Sequence, residues 1–147
     1  MKMSWVEGKL VIRGKKKDLI RFLTDGFASL YLNDHMIESR DDVFRMNTHH
    51  GLEILGTTDL FVSIYGEVTE ISLDTDDDDD YVVVNMELET ADKIIAEELL
   101  MVAKKFNIDF RAVATNIDWK FSQHVLIMNG NIVKDETINI NIFEFNN

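Results

Sequence analysis

The chain has 147 residues, 46% of them hydrophobic, enough for one domain with a real core and short for two. It carries 27 Asp plus Glu against 15 Lys plus Arg, a formal net charge of -12, which disfavours direct binding to DNA, RNA or anionic lipid and favours association with a basic surface. It has no cysteine, which excludes disulfides, thiolate nucleophiles and cysteine-ligated metals; with no apolar run near the about 20 residues of a membrane span and no signal-peptide pattern, a cytoplasmic protein is expected.

From Trp5 to Arg13, Val6, Leu10 and Ile12 share one parity, as in a strand with one buried face, and Gly14 closes it. Asp18 to Leu32 places Leu19, Phe22, Leu23, Phe27 and Leu30 at helical spacing, with Gly26 weakening or bending the helix. Residues 33–59 lack sustained periodicity and read as an irregular insertion. Alternation resumes at Leu60, Val62, Ile64 and Val68, but Ile71 and Leu73 hold the other parity, a slip near Gly66 of the kind a bulge or sharp bend produces. The acidic tract 74–80 then reads as a solvated turn between antiparallel neighbours.

Tyr81 to Thr115 has the clearest pattern. Val82, Val84, Met86 and Leu88 alternate as a strand. Ala91, Ile95, Leu99, Val102 and Phe106 then form a helical face with Thr90 as N-cap, and Ile108, Phe110 and Ala112 return to alternation. Alternation continues through Trp119, Phe121, Gln123, Val125 and Ile127 to Asn129-Gly130, a favoured type I′ pair. A late Asn-rich strand through Ile138, Ile140 and Ile142 needs cover or a partner, such as a second copy in a homodimer. The order predicts a single α+β domain over 1–147. It would be a ferredoxin-like antiparallel sheet (β-α-β-β-α-β) with two helices on one face, the insertion at 33–59 and a C-terminal β-hairpin extension at 116–147.

The tract supplies six carboxylates, Asp74, Asp76, Asp77, Asp78, Asp79 and Asp80. It lacks the position-six glycine and position-twelve glutamate of an EF-hand, so the choice lies between a solvated loop and mimicry of a phosphate backbone. His49, His50 and Glu53 form a histidine pair with a nearby acid, but no third ligand is evident and the expected reading is a surface pair. Gly14 to Asp18, GKKKD, lacks the earlier glycine and the hydroxyl residue of a P-loop and reads as a basic spot at a strand-to-helix turn. An RNA-recognition domain needs exposed aromatics in a basic setting, whereas Tyr81 to Glu89 holds one aromatic with Glu87 and Glu89. Trp5, Trp119 and Phe121 fit core packing better than an exposed contact face. No nucleophile and base stand at readable spacing, so neither catalysis nor a metal or other cofactor is expected.

The stretches WVEGKLVIRGKKKDLIRFL, MELETADKIIAEELLMVAKKFNIDF and HVLIMNG together resemble the Api92-like or YubB-like family of ferredoxin-like proteins of phages and plasmids, over about two thirds of the chain. The chain departs from that pattern at Glu89 to Asp92, where the family carries Trp-Pro. The resemblance implies the fold and a mobile-element origin, and brings no catalytic residues. The resulting expectation is a non-enzymatic acidic interaction protein that binds a basic nucleic-acid-handling host protein, as an anti-CRISPR or other anti-defence inhibitor does, through Asp74, Asp76 to Asp80, Glu87 and Glu89. The alternatives are a small metal-dependent enzyme using His49, His50 and Glu53, or a structural homo-oligomer.

Overall fold

The computed structural model describes residues 4–28, 35–40, 43–48, 51–64, 69–72 and 81–140. In chain order these form β1 (Trp5–Lys15), α1 (Lys16–Asp25), β2 (Phe27–Ala28), β3 (His35–Arg40), β4 (Val43–Thr48), β5 (Leu52–Ile54), β6 (Leu60–Ser63), β7 (Thr69–Ser72), β8 (Tyr81–Ala91), α2 (Ala96–Phe106), β9 (Ile108–Asn116), β10 (Phe121–Met128) and β11 (Asn131–Asn139). One antiparallel sheet of eight strands runs β11-β10-β9-β1-β8-β6-β5-β2, and a second of three strands runs β3-β4-β7.

The ferredoxin-like expectation is therefore overturned: the chain builds a large antiparallel sheet with a second small one, not a small sheet under two helices. Two regions make the difference. Residues 33–59, expected to be irregular, contribute β3, β4 and β5, and the terminal hairpin lengthens the opposite side with β10 and β11. The parity slip after Leu60 coincides with a change of sheet, and Gly66, where a bulge or sharp bend is expected, lies outside the described residues. Strand β6 pairs with β8 in the large sheet while β7 pairs with β4 in the small one, so the two pieces bury different faces in different sheets. For the same reason the acidic tract does not join antiparallel neighbours, since β7 and β8 belong to separate sheets.

Both helices are shorter than their patterns predict. Helix α1 ends at Gly26, whose N–H donates to the Phe22 carbonyl, and the chain turns at once into β2. Strand β8 continues through Thr90, buried and paired with Val6, to Ala91; Asp92 then takes φ 65°, and α2 opens only at Ala96. Thr90 is thus a strand residue, not a cap. Asn107 closes α2 in the left-handed conformation, φ 56°, with its N–H on the Ala103 carbonyl. Asn129 and Gly130 both have positive φ, 52° and 72°, as the type I′ turn between β10 and β11 requires.

The core lies between the helices and one face of the large sheet. Val6, Leu10 and Ile12 of β1 meet Val84, Met86 and Leu88 of β8 and Phe110 and Ala112 of β9, all buried. Strand β9 approaches β1 so closely at Gly8 that a Cβ there would stand 2.0 Å from the Val113 carbonyl oxygen. Phe22 of α1 contacts Phe27, Phe106 and Phe110 with ring centroids 5.2, 5.3 and 5.7 Å apart. Two buried polar side chains tie elements together. Gln123 accepts from the Ile94 N–H at 2.7 Å and donates to the Ile94 carbonyl at 3.1 Å, pairing the segment before α2 with β10. The Ile64 N–H donates to the Thr48 hydroxyl at 2.9 Å and so joins the two sheets. Phe44, Met46 and Ile71 of the small sheet belong to the same buried cluster.

Phe22→Ala removes the ring on which the other three converge and is expected to cost about 3–5 kcal/mol in urea unfolding, with little change in the slope of the transition. A loss under about 1 kcal/mol would mean that α1 does not depend on this contact.

Candidate functional site

Strand alternation that buries one face of the β8–β1–β9–β10 region leaves the other face open to solvent, and its residues follow from the register. At one end, Glu7 stands directly opposite Glu89, and Phe61 of β6 lies opposite Glu89 on its other side. Glu53 of β5 in turn faces Phe61, and its carboxylate accepts the Asp59 N–H at 2.9 Å. Two like charges directly across a strand pair weaken the sheet, so the Glu7–Glu89 pairing is not explained by folding. Beside it a pocket of about 340 Å³ is lined by Trp5, Phe61, Ser63 and Glu89.

One step along the strands the charges alternate: Lys9 pairs with Glu87 in an ion pair. His124 accepts a hydrogen bond from Arg111 Nε at 3.3 Å through Nε2, which requires the neutral imidazole. Further along, Val11, Val83, Leu126 and Met128 form an apolar floor of about 170 Å³ flanked by Arg13 and Arg111. At the far end Arg13 donates to Asp109 from Nε at 3.0 Å and Nη2 at 2.6 Å and lies over the Tyr81 ring, 5.4 Å from its centroid. The open face thus runs from carboxylates at one end to cations at the other.

Only part of the set expected to act together falls among the described residues. Glu87 and Glu89 are on the open face, but Asp74 and Asp76 to Asp80 lie outside the described residues, and the chain enters β8 at Tyr81, eight residues before Glu89. At about 3.3 Å per residue that separation is about 26 Å. Of the histidine alternative, His49 and His50 lie outside the described residues, and the Glu53 carboxylate accepts the Asp59 N–H. Among the described residues no group of three or more His, Asp and Glu could hold a metal ion. No described helix is long and apolar enough to cross a membrane. Trp119, expected in a strand and the core, occupies a turn at φ 59° and is 53% exposed, while Trp5 and Phe121 are half-buried. Strand β11 is an edge of the sheet and exposes Val133 and Ile138; the part of the late strand beyond Ile140 lies outside the described residues.

Sequence reading missed Glu7 and the aromatic pocket because their grouping depends on which strands are neighbours. The signal for Glu7 was its parity with Trp5, opposite to that of buried Val6. No family model matches the chain, and no curated protein or solved structure matches it either, so these comparisons do not bear on the resemblance to the Api92-like family.

Burial lowers the His124 pKa below its ordinary value, helped by the positive charges of Lys134 and Arg111 and opposed by Glu136. A folded-state pKa below the unfolded one gives stability that is present above the unfolded value, about 6.5, and is lost as pH falls through the folded value. In an NMR titration His124 should therefore titrate below about 6.5, and Arg111→Leu should move it upward. An unchanged His124 titration in that variant would contradict the assigned contact.

Proposed function

We propose that this is a non-enzymatic acidic interaction protein whose open sheet face receives a cationic side chain from a basic protein partner. The observation that carries the reading is the Glu7–Glu89 pair beside the pocket of Trp5 and Phe61. Aromatic rings attract a Lys or Arg head group through their π faces, and adjacent carboxylates complete its pairing. A guanidinium or ammonium placed there relieves the repulsion between Glu7 and Glu89, so binding and strand pairing reinforce each other. Glu87, already paired with Lys9, adds to the negative rim without being free to pair fully. The net charge of -12 supplies long-range attraction and a fast encounter.

Proteins that handle nucleic acid present basic surfaces of this kind. By occupying such a channel the protein would inhibit its partner, the form this reading takes for an anti-CRISPR or other anti-defence factor. Asp74 and Asp76 to Asp80 then act as a further acidic contact for the same kind of partner.

The test uses an Arg- and Lys-rich peptide as the probe and titration calorimetry as the readout. Affinity should fall steeply with salt, and Glu89→Gln and Trp5→Ala should each weaken binding by roughly tenfold. Glu97→Gln, the same loss of charge on exposed α2, should change affinity by less than about twofold. Equal effects of Glu89→Gln and Glu97→Gln would leave only bulk charge and overturn the pocket.

A further inference from the structure

The Ser63 side chain of β6 is only 5% exposed, yet its hydroxyl makes no hydrogen bond among the described residues. Buried hydroxyls are normally paired, because one cut off from water without a partner costs free energy. The register shows what this one faces. Phe61 lies opposite Glu89 and Ser63 opposite Glu87, so the hydroxyl shares the open side of the sheet with those residues and does not point into the core. Glu87 is taken by its ion pair with Lys9. Ser63 instead lines the pocket of about 340 Å³ together with Trp5, Phe61 and Glu89.

Building on the cation-binding reading of this pocket, we infer that the cation it takes is a guanidinium, an arginine side chain of the basic partner, and that Ser63 selects it over lysine. Among the described residues neither Glu89 nor Glu7 opposite it forms an ion pair, so the carboxylate in the lining is open to a ligand. Phe61 lies directly across from Glu89 on β6, and Trp5, paired with Ala91, lies diagonal to it on β1, so a ring flanks the carboxylate on each side. Ser63 is diagonal to Glu89 as well, and such neighbours stand about 7–8 Å apart. The pocket therefore offers two acceptors at separate points between two rings. A guanidinium spreads five donors around a plane: one edge pairs with Glu89, another reaches Ser63, and both faces stay free for the rings. An ammonium gathers its three donors at one point and holds its water strongly, so it meets Glu89 and leaves Ser63 unpaired.

Two peptides of equal length and charge, one carrying Arg and the other Lys at the same positions, are titrated into the full chain by calorimetry. The Arg peptide should bind roughly tenfold tighter. Ser63→Ala should weaken the Arg peptide by roughly tenfold and the Lys peptide by less than about twofold, and because it removes an unpaired hydroxyl the urea midpoint should hold or rise. Phe61→Leu, which keeps an apolar side chain without a ring, should narrow the preference in the same direction. Equal binding of the two peptides by the wild-type chain overturns the guanidinium assignment and leaves the cationic reading standing, whereas binding of neither overturns both. A Ser63→Ala chain that keeps the full preference, or that unfolds at a lower urea midpoint, overturns the role of the hydroxyl in selection.

Discussion

The Phe22 ring touches Phe27, Phe106 and Phe110, and through those contacts one side chain ties α1 to β2, α2 and β9. Edge-on and tilted pairs of this kind add to the burial of each ring, so the two helices are locked to each other as well as to the sheet. The rest of the architecture depends on that layer. It covers one face of the large sheet with apolar side chains and leaves the opposite face of β8, β1, β9 and β10 without cover among the described residues. An antiparallel sheet tolerates this, because its outward residues need only remain soluble. Here the outward residues include like-charged neighbours and aromatic walls that solubility does not require.

Net charge describes neither end of that face. The carboxylates of Glu7 and Glu89 and the Arg13 guanidinium sit toward opposite ends of β1 and β8, about 20 Å apart. At physiological ionic strength charges are screened beyond about 8 Å, so each end acts on its own surroundings. The overall charge still governs the approach of a large partner from a distance, which is a different role from recognition at contact.

What the sequence made legible was parity and turn chemistry. The buried sides of β1, β8, β9 and β10 follow the alternation of Val6, Val84, Phe110 and Val125, and the turn at Asn129-Gly130 has the backbone its residues demand. Strand neighbours were less legible, because the eight-stranded sheet assembles β2, β5 and β6 from short pieces, and β2 and β6 pair with strands far along the chain. The start of α2 was misplaced because Thr90 is an apt capping residue by type, yet its pairing with Val6 and Leu60 holds it in the sheet. Site residues suffered most from this. Asp74 to Asp80 drew notice as a run, whereas Glu7 opposite Glu89 exists only after folding.

The register that folds the sheet also fixes the site. Strands β1 and β8 pair without interruption from Trp5 opposite Ala91 to Lys15 opposite Tyr81, and β9 holds β1 from its other side. A slip of β8 by one residue would carry Glu87 and Glu89 into the core and expose Met86 and Leu88, so burial of those apolar side chains also holds the carboxylates on the open face. The repulsion between Glu7 and Glu89 is of order 1 kcal/mol or less, against about 1.5–3 kcal/mol for burying each of Met86 and Leu88. The core therefore wins, and the repulsion is held in place by it. A charged pair kept in an unfavourable contact by a well-packed face is poised to bind a cation, which is why the acidic end, more than the acidic composition, carries the functional reading.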